Sequence, residues 1–287
     1  MKKIKLLLLI SCISIISGCF NKKAMEDANI RVSSYPIEYI TQRLYSKHST
    51  IKSIYPDDMI EGYKVSDKLL KDYSSTDLFI FNGNSDEEND YVYKMFMNNK
   101  KLKIIDSTAS LSINYKQEEL WLDPMNYLTM ANNIKKGFNE YADIAYLKDD
   151  VNENFKSLKQ DLVQLEADYR EMAERANNKT IIVSDDVFLY LKKYGLNVIS
   201  LDKNNKSNKK SLFNTEDLIK NGTVKTIFVK KGQKVSDNIN KLKDDYKISI
   251  EELNTMSSMT NEDRKNGKDY LSIMHDNIET LKQELYK

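Results

Sequence analysis

The chain has 287 residues, of which 30% are charged and 40% hydrophobic, and this composition is typical of a globular protein with room for two domains. Its 44 basic residues balance 43 acidic ones, so nothing indicates the basic face that a nucleic-acid partner needs. With only 8 glycines and 3 prolines, we expect long elements and few tight turns.

The first residues have the pattern of an export signal. Three lysines precede an apolar run, Leu6 to Ile16, which is too short for a stable membrane span. The run ends in Ile16-Ser17-Gly18-Cys19, which resembles the lipobox of bacterial lipoproteins. That resemblance implies that residues 1–18 are a signal peptide, that Cys19 is lipidated, and that the protein is anchored at the outer face of the bacterial cytoplasmic membrane. Cys12 would be removed, which leaves no thiol for a disulfide or for catalysis.

Residues 19–28 are polar and unpatterned, and we expect them to form a tether. From 29 to 123, β-rich apolar runs alternate with segments whose apolar residues have helical spacing. The predicted strands are Ile30–Ser34, Ile51–Tyr55, Leu78–Asn82 and Leu102–Asp106, and the predicted helices are Ile37–Ser46, Val65–Tyr73 and Glu87–Asn98. This alternation predicts an α/β lobe with a mostly parallel four-stranded sheet between helices.

The region 124–177 is predicted to be helical and to link two lobes. Asp123 suits a helix N-cap, and Pro124 suits the first helical position. Helices are expected over Met125–Tyr141 and Asp149–Ala176. The second helix has one apolar stripe of heptad spacing: Val151, Phe155, Leu158, Leu162, Leu165, Tyr169 and Met172. Two interpretations stay open, a coiled-coil dimer and a rigid spine within one chain. We favour the spine, in a monomer, because four heptads are short for a free coiled coil.

Residues 178–287 return to the alternating pattern and predict a second α/β lobe. The strands are expected at Thr180–Ser184, Val198–Leu201, Thr226–Val229 and Tyr246–Ile250, and the helices at Val187–Tyr194, Glu216–Asn221, Val235–Leu242 and Glu262 to Leu285. Gly195 is a natural helix stop. The polar run from Lys203 to Lys210 is expected to be a solvated loop.

Several motifs, in the right order, resemble those of the metal-binding lipoproteins of ABC importers. The matching segments are Val32-Ser33-Ser34-Tyr35-Pro36, Phe81-Asn82-Gly83, Trp121-Leu122-Asp123-Pro124, Tyr194-Gly195-Leu196 and Gly267-Lys268-Asp269-Tyr270. The resemblance implies two lobes joined by one rigid helix, a divalent metal ion of the zinc or manganese class held between them, and a membrane permease as partner. Tyr35, Tyr63 and Trp121 are then expected in the cleft wall.

The metal ligands are where this sequence departs from the family. The resemblance implies three histidines and one acid, and the corresponding positions hold Glu61, Glu119, Asp185 and Ser257, with Asn254 as an alternative to the last. Three converging carboxylates suit a hard cation such as Mn²⁺ better than zinc, which usually takes nitrogen donors. Simpler roles are open for each: Asp185 as a helix cap, and Glu61 and Glu119 as surface acids. The only histidines, His48 and His275, lie away from these positions.

The expected function is therefore capture of a divalent metal ion for an ABC permease. The alternative is a family member that has lost metal binding and acts as a surface adhesin or an accessory interaction protein. We expect no enzyme, since the sequence has no phosphate-binding glycine loop, no G-x-S-x-G and no H-E-x-x-H.

Overall fold

The computed structural model describes residues 25–58, 62–111, 117–202 and 208–287, and for 117–119 and 208 it describes the backbone alone. The predicted signal peptide, Cys19 and most of the predicted tether lie outside these ranges. Met25, near the end of that tether, is only 4% exposed, and its carbonyl accepts a hydrogen bond of 2.7 Å from the Tyr45 hydroxyl. Residues 25–28 are therefore packed against the first lobe.

The first lobe is a parallel sheet in the order β2-β1-β3-β4 with helices around it. Its strands are β1 (Ala28–Val32), β2 (Ser49–Ser53), β3 (Leu78–Phe81) and β4 (Lys103–Asp106), and its helices are α1 (Tyr35–Tyr45), a 3-10 turn (Ser46–His48), α2 (Asp67–Tyr73) and α3 (Asp86–Asn98). The central strand β3 is buried along its whole length, as expected for a strand covered by helices on both faces.

Three helices connect the lobes: α4 (Gln117–Leu122), α5 (Pro124–Tyr141) and α6 (Ala145–Glu174). The Asp123 carboxylate caps α5 by accepting from the Met125 and Asn126 N–H groups at 2.9 and 3.4 Å, and Pro124 occupies the first turn, both as predicted. At 30 residues, α6 is about 45 Å long. It is the long linking helix that the sequence predicts.

The second lobe repeats the topology of the first. Its parallel sheet has the order β6-β5-β7-β8. The strands are β5 (Thr180–Val183), β6 (Asn197–Ser200), β7 (Thr226–Lys230) and β8 (Ser249–Leu253), and the helices are a 3-10 helix (Asp186–Tyr194), α7 (Asn208–Lys220), α8 (Asp237–Tyr246), α9 (Asn261–Lys265) and α10 (Tyr270–Leu285). The prediction of two four-stranded parallel sheets flanked by helices is confirmed.

One hydrophobic core runs through both lobes along α6. The apolar stripe of α6 is at most 1% exposed at Val151, Leu158, Leu162, Leu165, Tyr169 and Met172, and Phe155 packs at its margin. The same core contains residues of β1 and β3 on one side and of β5 and α10 on the other. The stripe is therefore buried within one chain, as the spine interpretation expects.

Some predicted elements are corrected by the structure. The expected closing helix is two helices, because Gly267 adopts φ +68° and Asp269 starts a new helix with a capping box. The strand predicted at Tyr246–Ile250 begins only at Ser249, since Lys247 adopts φ +57° and ends α8. Helix α7 begins at Asn208, so the predicted loop is too long and the predicted Glu216–Asn221 helix too short.

Two further differences concern helix type and number. The segment Val187–Tyr194 is a 3-10 helix, which ends at Gly195 with φ +81° as predicted. Helix α4, which carries Trp121, was not predicted because it has only six residues. None of the helices in the described ranges is both long and apolar enough to cross a membrane.

Candidate functional site

A cleft of about 460 Å³ lies between the lobes, at the carboxyl ends of both sheets. The described residues that line it are Ser33, Ser34, Tyr55, Gly62, Tyr63, Ser85, Glu87, Trp121, Lys230, Lys231, Gly232, Gln233, Ser257 and Ser258. Ligands of open parallel sheets bind at this edge, because the loops that follow the strands converge there. The cleft is therefore the candidate functional site.

Trp121 joins the two lobes at the base of the cleft. Its indole N–H donates to the Thr255 carbonyl at 2.7 Å, and the Tyr270 hydroxyl donates to the Trp121 carbonyl at 2.6 Å. The Tyr270 ring stacks on Tyr127 of α5 with their centroids 3.9 Å apart. Trp121 is 2% exposed, so both its ring and its backbone are fixed by the packing between lobes.

The wall from the first lobe is rich in hydroxyl groups. Ser33 and Ser34 follow β1 directly and are 0% and 8% exposed. The Ser34 Oγ is buried and has no hydrogen-bond partner among the described residues. Burial of a hydroxyl without a partner costs free energy, so a ligand that pairs with it gains affinity.

The one carboxylate in this described wall, that of Glu87, is held by two phenols. Its Oε1 accepts from the hydroxyls of Tyr91 at 2.7 Å and of Tyr55 at 3.2 Å. Burial, together with the hydrogen bond to Glu87, raises the pKa of Tyr91 to about 12. Both phenols therefore stay protonated and keep donating to Glu87 at neutral pH.

Glu88 lies beneath this wall and is 1% exposed. One carboxylate oxygen accepts from the Asn82 N–H at 2.6 Å, directly after β3. Burial, with a smaller contribution from the charges of Glu87 and Asp106, raises the pKa of Glu88 to about 7, although the Ser33 side chain and the hydrogen bond from the Asn82 N–H oppose the shift.

The second lobe contributes positive charge at the rim. Lys230 is the last residue of β7, and Lys231 follows it. The Lys231 Nζ lies 3.3 and 3.4 Å from the two carboxylate oxygens of Asp263, and the side chain is 43% exposed. Lys231 lines the cleft, whereas Asp263 lines a neighbouring pocket, so this ion pair holds the ammonium group at the boundary between the two.

Arg264 of α9 bridges the lobes beside the cleft. Its guanidinium donates to both Glu38 oxygens at 3.1 and 3.0 Å and to both Asp57 oxygens at 2.9 Å, and it lies over the Tyr35 ring at 5.5 Å. Burial tends to lower the pKa of Arg264, but the two carboxylates outweigh it and raise the pKa. Arg264 therefore holds the segment after β2 against the second lobe.

The structure places the predicted ligand residues as follows. Glu61 lies in 59–61, outside the described residues, and Glu119 is described as backbone of α4 only. The Asp185 carboxylate caps the 3-10 helix by accepting from the Val187 N–H at 2.9 Å, and Asp185 is not among the described lining residues. Ser257 lines the cleft, and its Oγ lies 2.7 Å from the Thr255 Oγ1.

Two of the three expected wall residues, Tyr63 and Trp121, line the cleft. Tyr35 is 7% exposed and lines a smaller pocket beside it. Neither histidine is near: the His48 Nε2 lies 2.8 Å from Asp150, and the His275 Nε2 lies 3.0 Å from Asp168. Within the described ranges, no three His, Cys, Asp or Glu side chains are grouped to hold a metal ion.

Sequence reasoning missed most of the other lining residues. Ser33 and Ser34 directly follow β1, and Lys231 directly follows β7. Their position after buried strands is the signal that could have found them. Arg264 and its two carboxylate partners are separated by more than 200 residues, so no local pattern could have linked them.

The two parallel α/β lobes, the single long helix and the cleft between them define the class of two-lobed binding proteins. Comparison with known families is more specific. Residues 30–284 match the family described as ZnuA, zinc-uptake complex component A, periplasmic. The chain therefore belongs to the ZnuA family, which comprises substrate-binding proteins of ABC importers of the zinc and manganese type.

The similar proteins are distant in sequence. The zinc-binding lipoprotein AdcA of Streptococcus pneumoniae is 23% identical over an alignment that covers 99% of this chain and 61% of AdcA. The high-affinity zinc uptake system protein ZnuA of Bacillus subtilis is 22% identical, with coverage of 98% and 97%. The chain thus spans only 61% of the length of AdcA and nearly all of the Bacillus protein.

Solved structures show the same fold. The metal-dependent lipoprotein YcdH from Bacillus subtilis superposes with a TM-score of 0.75 at 20% identity, covering 91% of this chain and 100% of YcdH. The Zn(II)-bound ZnuA-like domain of Streptococcus pneumoniae AdcA gives 0.74 at 21% identity, with the same coverage.

Proposed function

We propose that this chain captures a divalent metal ion of the zinc or manganese class in the cleft and delivers it to an ABC permease. The observation that carries the proposal is the family match over residues 30–284. The cleft supports it, because it lies at the carboxyl edge of both sheets, where both lobes contribute side chains.

The proposed metal ligands are Glu61, Glu119, Asp185 and Ser257, which the sequence resemblance assigns to the ligand positions of the family. Three oxygen donors of this kind favour Mn²⁺ over Zn²⁺, since zinc usually takes nitrogen or sulfur ligands.

The proposal extends to the membrane. AdcA of Streptococcus pneumoniae is named a lipoprotein, and the sequence around Cys19 resembles a lipobox. Lipid on Cys19 would hold the protein at the outer face of the cytoplasmic membrane, beside the permease that receives the metal. In this arrangement one monomer serves one permease.

Metal content and titration calorimetry on the mature lipidated protein in detergent test this function. We expect Mn²⁺ or Zn²⁺ to bind with a Kd below about 1 μM. Glu61→Gln and Asp185→Asn should each raise that Kd by about tenfold or more, which is ~1.4 kcal/mol of binding free energy. Asparagine keeps the helix cap at 185, so this variant removes the charge without removing the cap.

Asp186→Asn is the matched control, since Asp186 is the adjacent acid in the first turn of the same 3-10 helix. Its Kd should stay close to that of the wild type. If neither ion nor any metal complex binds the wild-type protein, the transport proposal is wrong.

The second candidate is an interaction protein that has lost metal binding. It is favoured by the absence of a metal-holding group among the described side chains. Two solved structures of the same fold are named the laminin-binding protein Lbp of Streptococcus pyogenes and the laminin-binding adhesin Lmb of Streptococcus agalactiae. Binding of immobilised laminin by a protein that binds no metal would support this candidate.

A further inference from the structure

We infer that the cleft takes its divalent metal as a complex with a small organic polycarboxylate, and not as the bare ion. This inference rests on the proposed function, because it concerns the form in which the same cleft receives the metal. The size, the donor groups and the charge of the cleft each support it.

The size of the cleft is that of a site for a small organic molecule. At about 460 Å³ it falls in the range of about 300–1,000 Å³ that such sites occupy. A bare ion needs only a shell of donor atoms at about 2 Å, so side chains normally converge on it and leave no room. A metal ion whose coordination shell is supplied partly by a bound organic anion would fill this volume.

The described donor groups fit the outside of such a complex better than they fit a metal. The one carboxylate among the described lining residues, that of Glu87, already accepts hydrogen bonds from Tyr55 and Tyr91. The other polar groups are mostly serine and tyrosine hydroxyls, which donate well to carboxylate oxygens. The buried Ser34 Oγ has no hydrogen-bond partner among the described residues, so its hydroxyl group can donate to a carboxylate oxygen of the ligand.

The charge at the rim favours an anion. Lys230 and Lys231 line the cleft on the second lobe, opposite Ser34 of the first. The contacts of Lys231 with Asp263, at 3.3 and 3.4 Å, are long for a charge-assisted hydrogen bond. A carboxylate bound between the lobes would give the Lys231 ammonium group a second acidic partner, and it would contact both lobes.

Titration of the mature lipidated protein with three probes tests the inference: zinc chloride, citrate, and the one-to-one zinc–citrate complex. Trp121 is the only tryptophan and lines the cleft, so its fluorescence reports binding there, and calorimetry gives the Kd. We expect zinc–citrate to bind at least tenfold more tightly than either component, and manganese–citrate to behave in the same way.

Two variants locate the contacts. Lys231→Gln should weaken binding of zinc–citrate by about tenfold or more, since hydrogen bonds to charged groups contribute about 1.5–3 kcal/mol. Ser34→Ala should weaken it by about two- to tenfold, as expected for one neutral donor. Lys234→Gln is the matched control, because Lys234 is exposed on the same loop and is not among the lining residues. It should bind as the wild type does.

The outcomes separate this inference from the proposed function. If zinc alone binds as tightly as the complex and citrate only competes for the metal, the function stands and this inference is wrong. The inference is also overturned if Lys231→Gln and Lys234→Gln bind zinc–citrate equally well. If none of the three probes binds and the manganese ion and manganese–citrate also fail to bind, the metal-transport function itself is wrong.

Discussion

Glu88 is a carboxyl group buried beneath the wall of the cleft, and its charge is costly there. The Ser33 side chain and the hydrogen bond from the Asn82 N–H offset part of this cost, while Glu87 and Asp106 add negative charge nearby. A pKa raised from 4.5 to about 7 corresponds to on the order of 3 kcal/mol between the protonated and ionised forms. Glu88 thus links the stability of the first lobe to pH.

The sign of this linkage is a testable prediction. Between pH 4.5 and about 7 the folded state holds the Glu88 proton more tightly than the unfolded state does, so the contribution of Glu88 to the free energy of unfolding falls as pH rises. We expect Glu88→Gln, which keeps an acceptor for Asn82, to be stabilised relative to wild type by on the order of 3 kcal/mol more at pH 8 than at pH 4.

Urea unfolding at both pH values measures this difference. Asp86→Asn, which changes an exposed acid in the first turn of α3, is the control and should show no such pH dependence. An equal stability difference between Glu88→Gln and wild type at pH 4 and pH 8 would mean that folding does not raise the pKa of Glu88.

Single residues with local roles could be predicted from the sequence, and those with distant partners could not. Asp123 and Pro124 predict a helix start from local sequence alone, and in the structure Asp123 is the N-cap and Pro124 lies in the first turn. Glu88 follows Glu87 in a helical pattern and looks like any surface acid. Its burial depends on the loops after β1 and β3, which only the folded chain brings together.

At the scale of elements, α9 fastens one lobe to the other. Arg264 reaches Glu38 of α1 and Asp57 of the segment after β2, and the Asp58 N–H donates to the Met259 carbonyl at 3.2 Å. Glu38 is almost fully buried, with a side chain that is 8% exposed. The segments after β2 and after β8, which both border the cleft, are thereby held in one arrangement.

Loss of the Arg264 charge should loosen these segments. Arg264→Gln leaves the Glu38 carboxylate buried without its guanidinium partner. In a fully buried ion pair, this loss lowers the free energy of unfolding by several kcal/mol. Since Arg264 is one-third exposed, we expect a smaller loss of about 1–2 kcal/mol. Amide hydrogen exchange should become faster at Asp58, whose donor bond crosses between the lobes.

The double variant Arg264→Gln with Glu38→Gln removes the stranded charge and should recover part of the stability. Lys265→Gln, an exposed neighbour on α9, serves as the control for any change in this helix. Unchanged exchange at Asp58 in Arg264→Gln would show that the ion pairs do not hold the segment after β2.

Elements of regular periodicity could be predicted from the sequence to within a few residues, as α6 and β3 show. The errors fall where the backbone turns at one residue. Lys247 adopts φ +57° although lysine rarely does so, and Gly267 interrupts the segment that the sequence predicts as one closing helix. The turn at Lys247 depends on the packing around it, so the sequence alone gives no reason to expect it, whereas Gly267 is a residue type that commonly ends helices.

On the scale of the whole molecule, the two lobes share one core. The apolar stripe of α6 is buried against both sheets, and the Trp121 indole ties the base of the cleft to the loop after β8. A core shared in this way restricts how far the lobes can separate, because opening would expose apolar surface. We therefore expect ligand binding to adjust the loops at the cleft rather than to swing the lobes apart.

The fold could be predicted because strand–helix alternation and the motif order extend over the whole chain. The site is different. The predicted ligand Asp185 caps a helix, and Glu61 and Glu119 stay predictions as metal ligands. The hydroxyls and lysines that line the described cleft are common residue types, and only their shared place at the two sheet edges makes them a site.

Anomalous diffraction at the zinc edge, from crystals of the mature protein grown with zinc–citrate, tests most directly whether the cleft binds the metal ion together with an organic anion. We predict one strong zinc peak in the cleft beside Trp121, between Ser34 of the first lobe and Ser257 of the second, with density for the organic anion against Lys231. An empty cleft, with zinc found only on the outer surface at His48 or His275, would contradict it.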